Sequence, residues 1–289
     1  MGVALVTPFN HNKAIDFDAL GRLIDYQIEA GADYLVVLGT TSEAPTLESD
    51  ERRAVREYAA TRAAGRVPLV LGLGGNCTSA VVRELETLPT HAYSAILSVV
   101  PYYNKPSQEG IYHHYVAIHQ ASPLPVILYN VPSRTGVNMT ADTTLRIARD
   151  CSRVIAVKEA SGNLDQARRI IAEKPDGFTL LSGDDSATLP LIECGASGVI
   201  SVIGNALPGP FAQMVHAALS GDIESARAID NTLRPYYPLL SVEGNPAGIK
   251  CLLAEMGRIA NELRLPLVPV SSATQQAIHT VFGQNNKNH

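Results

Sequence analysis

Short, nearly continuous apolar runs alternate along most of this chain with longer segments in which apolar residues recur every three or four positions. The short runs have the length and β-branched content of strands buried on both faces, and the longer segments have the spacing of helices packed on a sheet. Eight runs predict strands, over Gly2–Thr7, Tyr34–Gly39, Pro68–Gly72, Ala92–Val100, Pro125–Asn130, Val154–Glu159, Phe178–Gly183 and Gly198–Ile203. Eight strands, each followed by a helical pattern, are more typical of a closed (β/α)8 TIM barrel than of an open sheet.

Helical periodicity fills the segments between these runs and the chain after Ile203. It predicts helices over Asp18–Ala30, Leu47–Ala64, Thr78–Thr87, Ser107–Ser122, Thr140–Ala148, Leu164–Glu173 and Leu189–Cys194, and then over Pro210–Ser220, Asp222–Tyr237, Pro246–Met256 and Ser272–Phe282. Asn245 is suited to cap a helix and Pro246 to begin one. We therefore predict a barrel domain over residues 1–207 and a C-terminal helical region over residues 208–289 that packs on it, with a fraying polar end at Gly283–His289.

Composition narrows the kind of partner. The 289 residues are 46% hydrophobic and 18% charged, with a net charge of −5 and no run rich in lysine or arginine. This pattern argues against nucleic acid and anionic membrane surfaces as partners, and no apolar run approaches the ~20 residues of a membrane span. The four cysteines show neither metal-ligand nor disulfide spacing and are expected to be buried thiols. We predict a cytoplasmic protein with subunit interfaces that acts on small molecules.

Chemistry in a barrel is expected where the strands end, because the active site lies at the C-terminal face. Lys158 lies on the sixth predicted strand and shares a face with Val154 and Ala156. Burial among apolar neighbours disfavours the charged ammonium, as a lysine that forms a Schiff base requires. The strand position alone leaves a second interpretation equally open, in which this lysine extends to the barrel mouth and pairs with a carboxylate.

Other strand ends carry hydroxyl groups and a guanidinium. Thr40, Tyr103 and Tyr129 are candidates for proton transfer, although residue type alone slightly favours interface packing of a tyrosine and helix capping by the threonine. Arg134 follows the fifth strand, where a guanidinium can bind a carboxylate with two hydrogen bonds. The alternative interpretation, a solvated arginine at the surface, is the more common one for such a position.

Metal and cofactor motifs are not indicated. After Gly72 and Gly74, Cys77 stands where a dinucleotide-binding Gly-x-Gly-x-x-Gly motif requires glycine. His113 and His114 are adjacent, so they cannot share one helix face as a metal clip needs. We predict no metal-dependent chemistry and no cofactor.

The motifs at these strand ends resemble those of the dihydrodipicolinate synthase family, within the pyruvate-dependent class I aldolases. The resemblance covers nearly the whole chain and rests on Gly39-Thr40-Thr41-Ser42-Glu43, Pro101-Tyr102-Tyr103-Asn104, Tyr129-Asn130-Val131-Pro132-Ser133-Arg134-Thr135-Gly136, Val157-Lys158-Glu159-Ala160 and Leu181-Ser182-Gly183-Asp184. It implies condensation of pyruvate with aspartate semialdehyde in diaminopimelate and lysine biosynthesis. It also implies a homotetramer of tight dimers, because the residue that matches Tyr103 reaches the neighbouring subunit's site in this family.

The resemblance also assigns roles to the matching residues. It implies four catalytic residues, a nucleophile and a proton relay: Lys158, Tyr129, Thr40 and Tyr103. It implies four residues that bind substrate or shape the pocket: Thr41, Arg134, Gly183 and Ile200. In this assignment Lys158 forms the Schiff base, Thr41 holds the pyruvate carboxylate and Arg134 binds the carboxylate of the aldehyde.

Two departures from the family pattern bear on loop geometry and regulation. Ser42 replaces the second glycine of the family's Gly-Thr-Thr-Gly-Glu motif, which puts the geometry of that loop in question more than the activity. The positions that match the family's lysine-inhibition site are Ala44, Ser49, Arg52, Asn76, Ala80 and Tyr102. The glutamate and histidines of that site are missing here, and a nearby arginine would repel a lysine ammonium. We predict weak or absent feedback inhibition by lysine.

Two alternative functions stay open. A lyase of sugar-derived 2-keto acids, similar to N-acetylneuraminate lyase, would share the scaffold and would differ in whether Arg134 matters. A non-catalytic ligand-binding paralogue would keep the barrel, but it has no need of a Schiff-base lysine.

Overall fold

The structure is a computed structural model, which describes residues 1–90 and 92–285. Within that range the strands are β1 (Gly2–Ala4), β2 (Tyr34–Val37), β3 (Leu69–Gly72), β4 (Ala95–Val99), β5 (Val126–Asn130), β6 (Val154–Glu159), β7 (Thr179–Ser182) and β8 (Ile200–Ser201). The helices are α1 (Phe17–Glu29), α2 (Ser49–Ala63), α3 (Thr78–Glu86), α4 (Gln108–Ala121), α5 (Pro132–Thr135), α6 (Ala141–Asp150), α7 (Leu164–Glu173), α8 (Thr188–Glu193), α9 (Pro208–Leu219), α10 (Ile223–Leu233), α11 (Tyr236–Leu239), α12 (Ala247–Glu255) and α13 (Ser272–Asn285). Each predicted strand is present at its expected place.

The strands belong to one sheet that follows chain order. Its order is β7-β6-β5-β4-β3-β2-β1-β8, and the pairings from β3 to β7 are parallel, as is that of β1 with β2. Eight strands in chain order, with parallel neighbours and helices between them, define the (β/α)8 barrel class. The predicted fold class is therefore confirmed, including the helices that follow the last strand.

The chain divides into two compact units. The first contains residues 1–67 together with the described residues from Ser201 onward. In it β1 pairs with β2 in the register Val3 to Leu35, and the Asp16 carboxylate caps α1 by accepting the Ala19 N–H at 2.8 Å. The boundary that was predicted after residue 207 stays a prediction, and residues 286–289 of the polar end lie outside the described range.

The second unit, Pro68–Ile200, contains strands β3 to β7. Its register places Tyr129 of β5 beside Lys158 of β6, and Asn130 beside Glu159. Because successive side chains of a strand point to opposite faces, Tyr129 and Lys158 lie on one face and Asn130 and Glu159 on the other.

Two details of the C-terminal helices differ from the prediction. The segment predicted as one helix over Asp222–Tyr237 contains α10 and α11 with Pro235 between them, because proline has no N–H to continue the helical ladder. Asn245 does not cap α12. Pro246 occupies the N-cap position, and the side-chain amide of Asn245 binds Thr41 instead.

The cysteine prediction holds only in part. Cys151 and Cys251 are buried, Cys194 is half-buried and Cys77 is exposed, so the expectation of four buried thiols is wrong for Cys77. Among the described helices, none is both long and apolar enough to cross a membrane.

Candidate active site

Lys158 is a buried lysine at the C-terminal end of β6. Lys158 is 5% exposed, and the buried Ala156 lies on the same face of β6. Its Nζ lies 4.4 Å from the centroid of the Tyr129 ring on the adjacent strand, within the range of a cation–π contact. The parallel register of β5 and β6 therefore brings the predicted nucleophile and one predicted proton-relay residue into direct contact.

Gly183 keeps open the space beside the lysine side chain. Its N–H donates to the Glu159 carbonyl at 2.8 Å, which holds its backbone against the end of β6. A Cβ at this position would lie 2.6 Å from the Ala160 Cβ and 3.2 Å from the Lys158 Cε. Only glycine fits here without displacing one of these atoms.

Arg134 and Tyr103 lie on two segments that are joined through their backbones. Arg134 is an exposed residue of α5, a single turn that ends at Gly136 with a φ of 74°. The Tyr103 N–H donates to the carbonyl of Thr135 at 3.3 Å. Tyr103 itself has a φ of 73° and is 88% exposed, so its ring stands away from the surface of this unit.

Ile200 begins β8 and is 1% exposed, as a core residue would be. The chain just before it is held to β7, because Ser182 donates its N–H to the Gly198 carbonyl at 2.8 Å. Its burial places the Ile200 side chain in the core.

In the first unit, the two threonines after β2 lie in a 3-10 turn over Thr40–Ser42. Thr41 is 2% exposed, and the Asn245 amide donates to its Oγ1 at 2.9 Å. A hydroxyl group carries one hydrogen, so an accepted bond at this oxygen leaves the Thr41 hydrogen available for another acceptor. The buried Ser42 donates its hydroxyl to the Gly39 carbonyl at 2.6 Å, which accommodates the side chain that replaces the family's glycine.

The same turn is anchored by a buried ion pair. Glu43 follows the turn with a left-handed φ of 58°, and its carboxylate pairs with Lys250 of α12, both side chains being fully buried. The ammonium also donates to the Glu262 carbonyl at 2.9 Å, and the Arg264 N–H donates to the carboxylate at 3.1 Å. Burial lowers the pKa of Lys250, and the Glu43 carboxylate opposes that effect.

The sequence analysis assigned no role to Glu43, Lys250 or Asn245 in this anchoring. One signal was available, because Lys250 interrupts the otherwise small and apolar run Ala247–Leu253. A buried lysine needs a partner of opposite charge. Its identity could not be deduced, since many carboxylates are available along the chain.

A lysine buried near the end of the sixth strand of a (β/α)8 barrel, with a tyrosine ring from the fifth strand against its amine, has the placement that a lyase of the class I aldolase type needs. The chain matches the dihydrodipicolinate synthetase family over residues 1–285, and it belongs to that family.

Known proteins of this family match this chain over nearly its full length and theirs. A 4-hydroxy-tetrahydrodipicolinate synthase of Parabacteroides distasonis is 58% identical over 98% of this chain and 96% of its own. The crystal structure of dihydrodipicolinate synthase from Aquifex aeolicus is 39% identical, with a TM-score of 0.95 over 99% of this chain and 97% of its own. A chloride-inhibited synthase from Acinetobacter baumannii, solved in complex with pyruvate, is 34% identical with the same TM-score, over 99% of this chain and 98% of its own.

Proposed function

We propose that this protein is a 4-hydroxy-tetrahydrodipicolinate synthase that condenses pyruvate with L-aspartate 4-semialdehyde, in diaminopimelate and lysine biosynthesis. The observation that carries the proposal is the buried Lys158 amine against the Tyr129 ring. The names of the curated relatives support this activity over that of a lyase of sugar-derived 2-keto acids.

Lys158 carries out the first chemical step. Its neutral amine attacks the keto carbon of pyruvate, and loss of water gives an iminium ion. The iminium withdraws electrons from the methyl group, which loses a proton to form an enamine. The enamine carbon then adds to the aldehyde of the semialdehyde, whose own amine displaces Lys158 and closes the ring.

Three hydroxyl groups move protons in this scheme. Tyr129, Thr40 and Tyr103 form the relay that delivers a proton to the alkoxide produced when the enamine adds to the aldehyde. Tyr103 acts in the site of a second copy of the chain, which its 88% exposure supports. We therefore propose a tight dimer as the catalytic unit and a homotetramer as the assembly, in the cytoplasm.

The remaining residues bind and orient the two substrates. The Thr41 hydroxyl donates to the pyruvate carboxylate while Asn245 occupies its acceptor side. Arg134 binds the carboxylate of the aldehyde with two hydrogen bonds. Gly183 leaves room for the pyruvate-derived carbons beside Lys158, and we propose that it shapes the pocket floor together with Ile200.

Borohydride trapping tests the mechanism. The protein is incubated with pyruvate and sodium borohydride, its intact mass is read, and the adduct is mapped by peptide digestion. We expect one adduct per chain on Lys158, and none in Lys158→Arg, which keeps the positive charge but cannot form the imine. No adduct in the wild-type protein would exclude the synthase and favour the binding paralogue. An adduct without turnover of aspartate semialdehyde would favour the sugar-acid lyase.

A further inference from the structure

Glu159 is a buried carboxylate that lies next to the predicted nucleophile in the chain but on the opposite face of β6. It is 3% exposed. One oxygen accepts the Ser161 N–H at 2.7 Å, and the other accepts the Gln166 amide at 3.0 Å. The Asn130 amide donates to both oxygens, at 3.2 and 3.1 Å. Hydrogen-bond donors surround this carboxylate, as burial of such a group requires.

The side chain of Asn130 also closes the segment that carries Arg134. Its Oδ1 accepts the Met139 N–H at 3.0 Å, and its Nδ2 donates to the Met139 carbonyl at 3.3 Å. The same nitrogen donates to the Asn138 Oδ1 at 2.8 Å. Residues 131–138 thus leave the end of β5 and return to it, and the Asn130 side chain joins the two ends of the segment.

The Glu159 carboxylate determines how the amides around it are oriented. An ionised carboxylate only accepts hydrogen bonds, so Asn130 and Gln166 must turn their NH2 groups toward it. Asn130 then presents its oxygen to the Met139 N–H. Gln166 presents its oxygen to the Asn138 amide, which donates to it at 2.8 Å. The two hydrogens of the Asn130 amide are shared among four acceptors, and the reversed orientation of either amide would place its oxygen against the Glu159 carboxylate.

We propose that Asn130, Asn138 and Glu159 are positioning residues that set where Arg134 stands relative to Lys158, and so determine how the acceptor aldehyde binds. We call these three side chains and Gln166 the amide clamp. The proposal rests on the proposed function, because it assumes that Arg134 binds the aldehyde's carboxylate.

The position of the amide clamp predicts which kinetic constant changes. Lys158 and Tyr129 are held next to each other by the backbone register of β5 and β6, which does not need the side chain of Asn130. The α5 segment returns to β5 through that side chain. Loss of the clamp should therefore weaken acceptor binding while imine formation with pyruvate persists.

The test compares Asn130→Ala with Ile147→Ala, a substitution of a fully buried residue of α6. The control removes buried apolar contacts without changing any member of the amide clamp, so it reports a general loss of stability. We expect Asn130→Ala to lower kcat/KM for aspartate semialdehyde by about 10²-fold, chiefly through a higher KM, since this is the scale of a displacement of roughly 1 Å in a bound group. The rate of borohydride trapping with pyruvate should equal that of the wild-type protein. Ile147→Ala should lower the melting temperature and leave both KM values unchanged.

A second variant covers the case in which Asn130→Ala does not fold. Asn138 is only half-buried, and Asn138→Ala removes the far end of the clamp, so the same selective rise in the acceptor KM is expected. The proposal is overturned if the folded variants keep the wild-type acceptor KM, or if the KM for pyruvate rises in parallel. If the wild-type protein forms the pyruvate adduct but does not turn over the semialdehyde, the proposed function fails instead.

Discussion

Substitution of Lys250 by methionine breaks the buried ion pair that anchors the Thr40–Ser42 turn, and so measures what that pair contributes to stability. Methionine keeps most of the side-chain volume but leaves the Glu43 carboxylate fully buried without its counter-charge. Breaking a buried pair in this way costs about 3–5 kcal/mol of the free energy of unfolding. At roughly 2–4 °C per kcal/mol, the melting temperature should fall by about 10 °C. Because Thr41 lies in the anchored turn, the KM for pyruvate should rise as well.

The chain offers a matched control for this experiment. Lys13 pairs with Glu262 at the surface, where its side chain is 49% exposed, so Lys13→Met should cost at most about 1 kcal/mol. The double variant Glu43→Gln with Lys250→Met should recover most of the loss. A glutamine at 43 has no unpaired charge and still accepts the Arg264 N–H. If Lys250→Met melts no lower than Lys13→Met, the reasoning about the buried pair is wrong.

Three further predictions concern Gly183, His114 and inhibition by lysine. Gly183→Ala places a methyl group 2.6 Å from the Ala160 Cβ and should slow borohydride trapping of pyruvate strongly, whereas Gly209→Ala, with nothing within 4 Å of the added Cβ, should trap at the wild-type rate. Burial lowers the pKa of His114 from 6.5 to about 4, so the unfolded chain binds a proton there before the folded chain does. As the pH falls from 6.5 to 4, His114 should therefore reduce the free energy of unfolding by ~1.4 kcal/mol per pH unit. Urea titrations should show that His114→Asn removes this contribution, whereas substitution of the exposed His113 by asparagine keeps it. Lysine should inhibit weakly or not at all in initial-rate assays. A sub-millimolar inhibition constant would contradict this prediction, which rests on the residues that match the family's lysine-inhibition site.

The order of the elements could be read from the chain without a structure. Strand β6 illustrates why, since its predicted bounds and its observed bounds are both Val154–Glu159. Apolar periodicity reports which residues must leave water, and that requirement is local to each segment. The same argument placed Lys158 on a buried face, and the structure leaves it 5% exposed. Its role in catalysis came from the motifs and stays a prediction that trapping will test.

Pairings between distant segments could not be read in this way. Asn245 looked like a helix cap because its local sequence fits one, yet its amide binds the hydroxyl of Thr41, 204 residues away. The partners of Lys250 and Glu159 are likewise known only from the folded chain. Local propensity is set by a few neighbouring residues, whereas a hydrogen bond or ion pair depends on which of many donors and acceptors the completed packing brings within about 3 Å. The chain's periodicity and motifs thus specified the barrel and the candidate nucleophile, and tertiary packing selected the side chains that hold the candidate site in place.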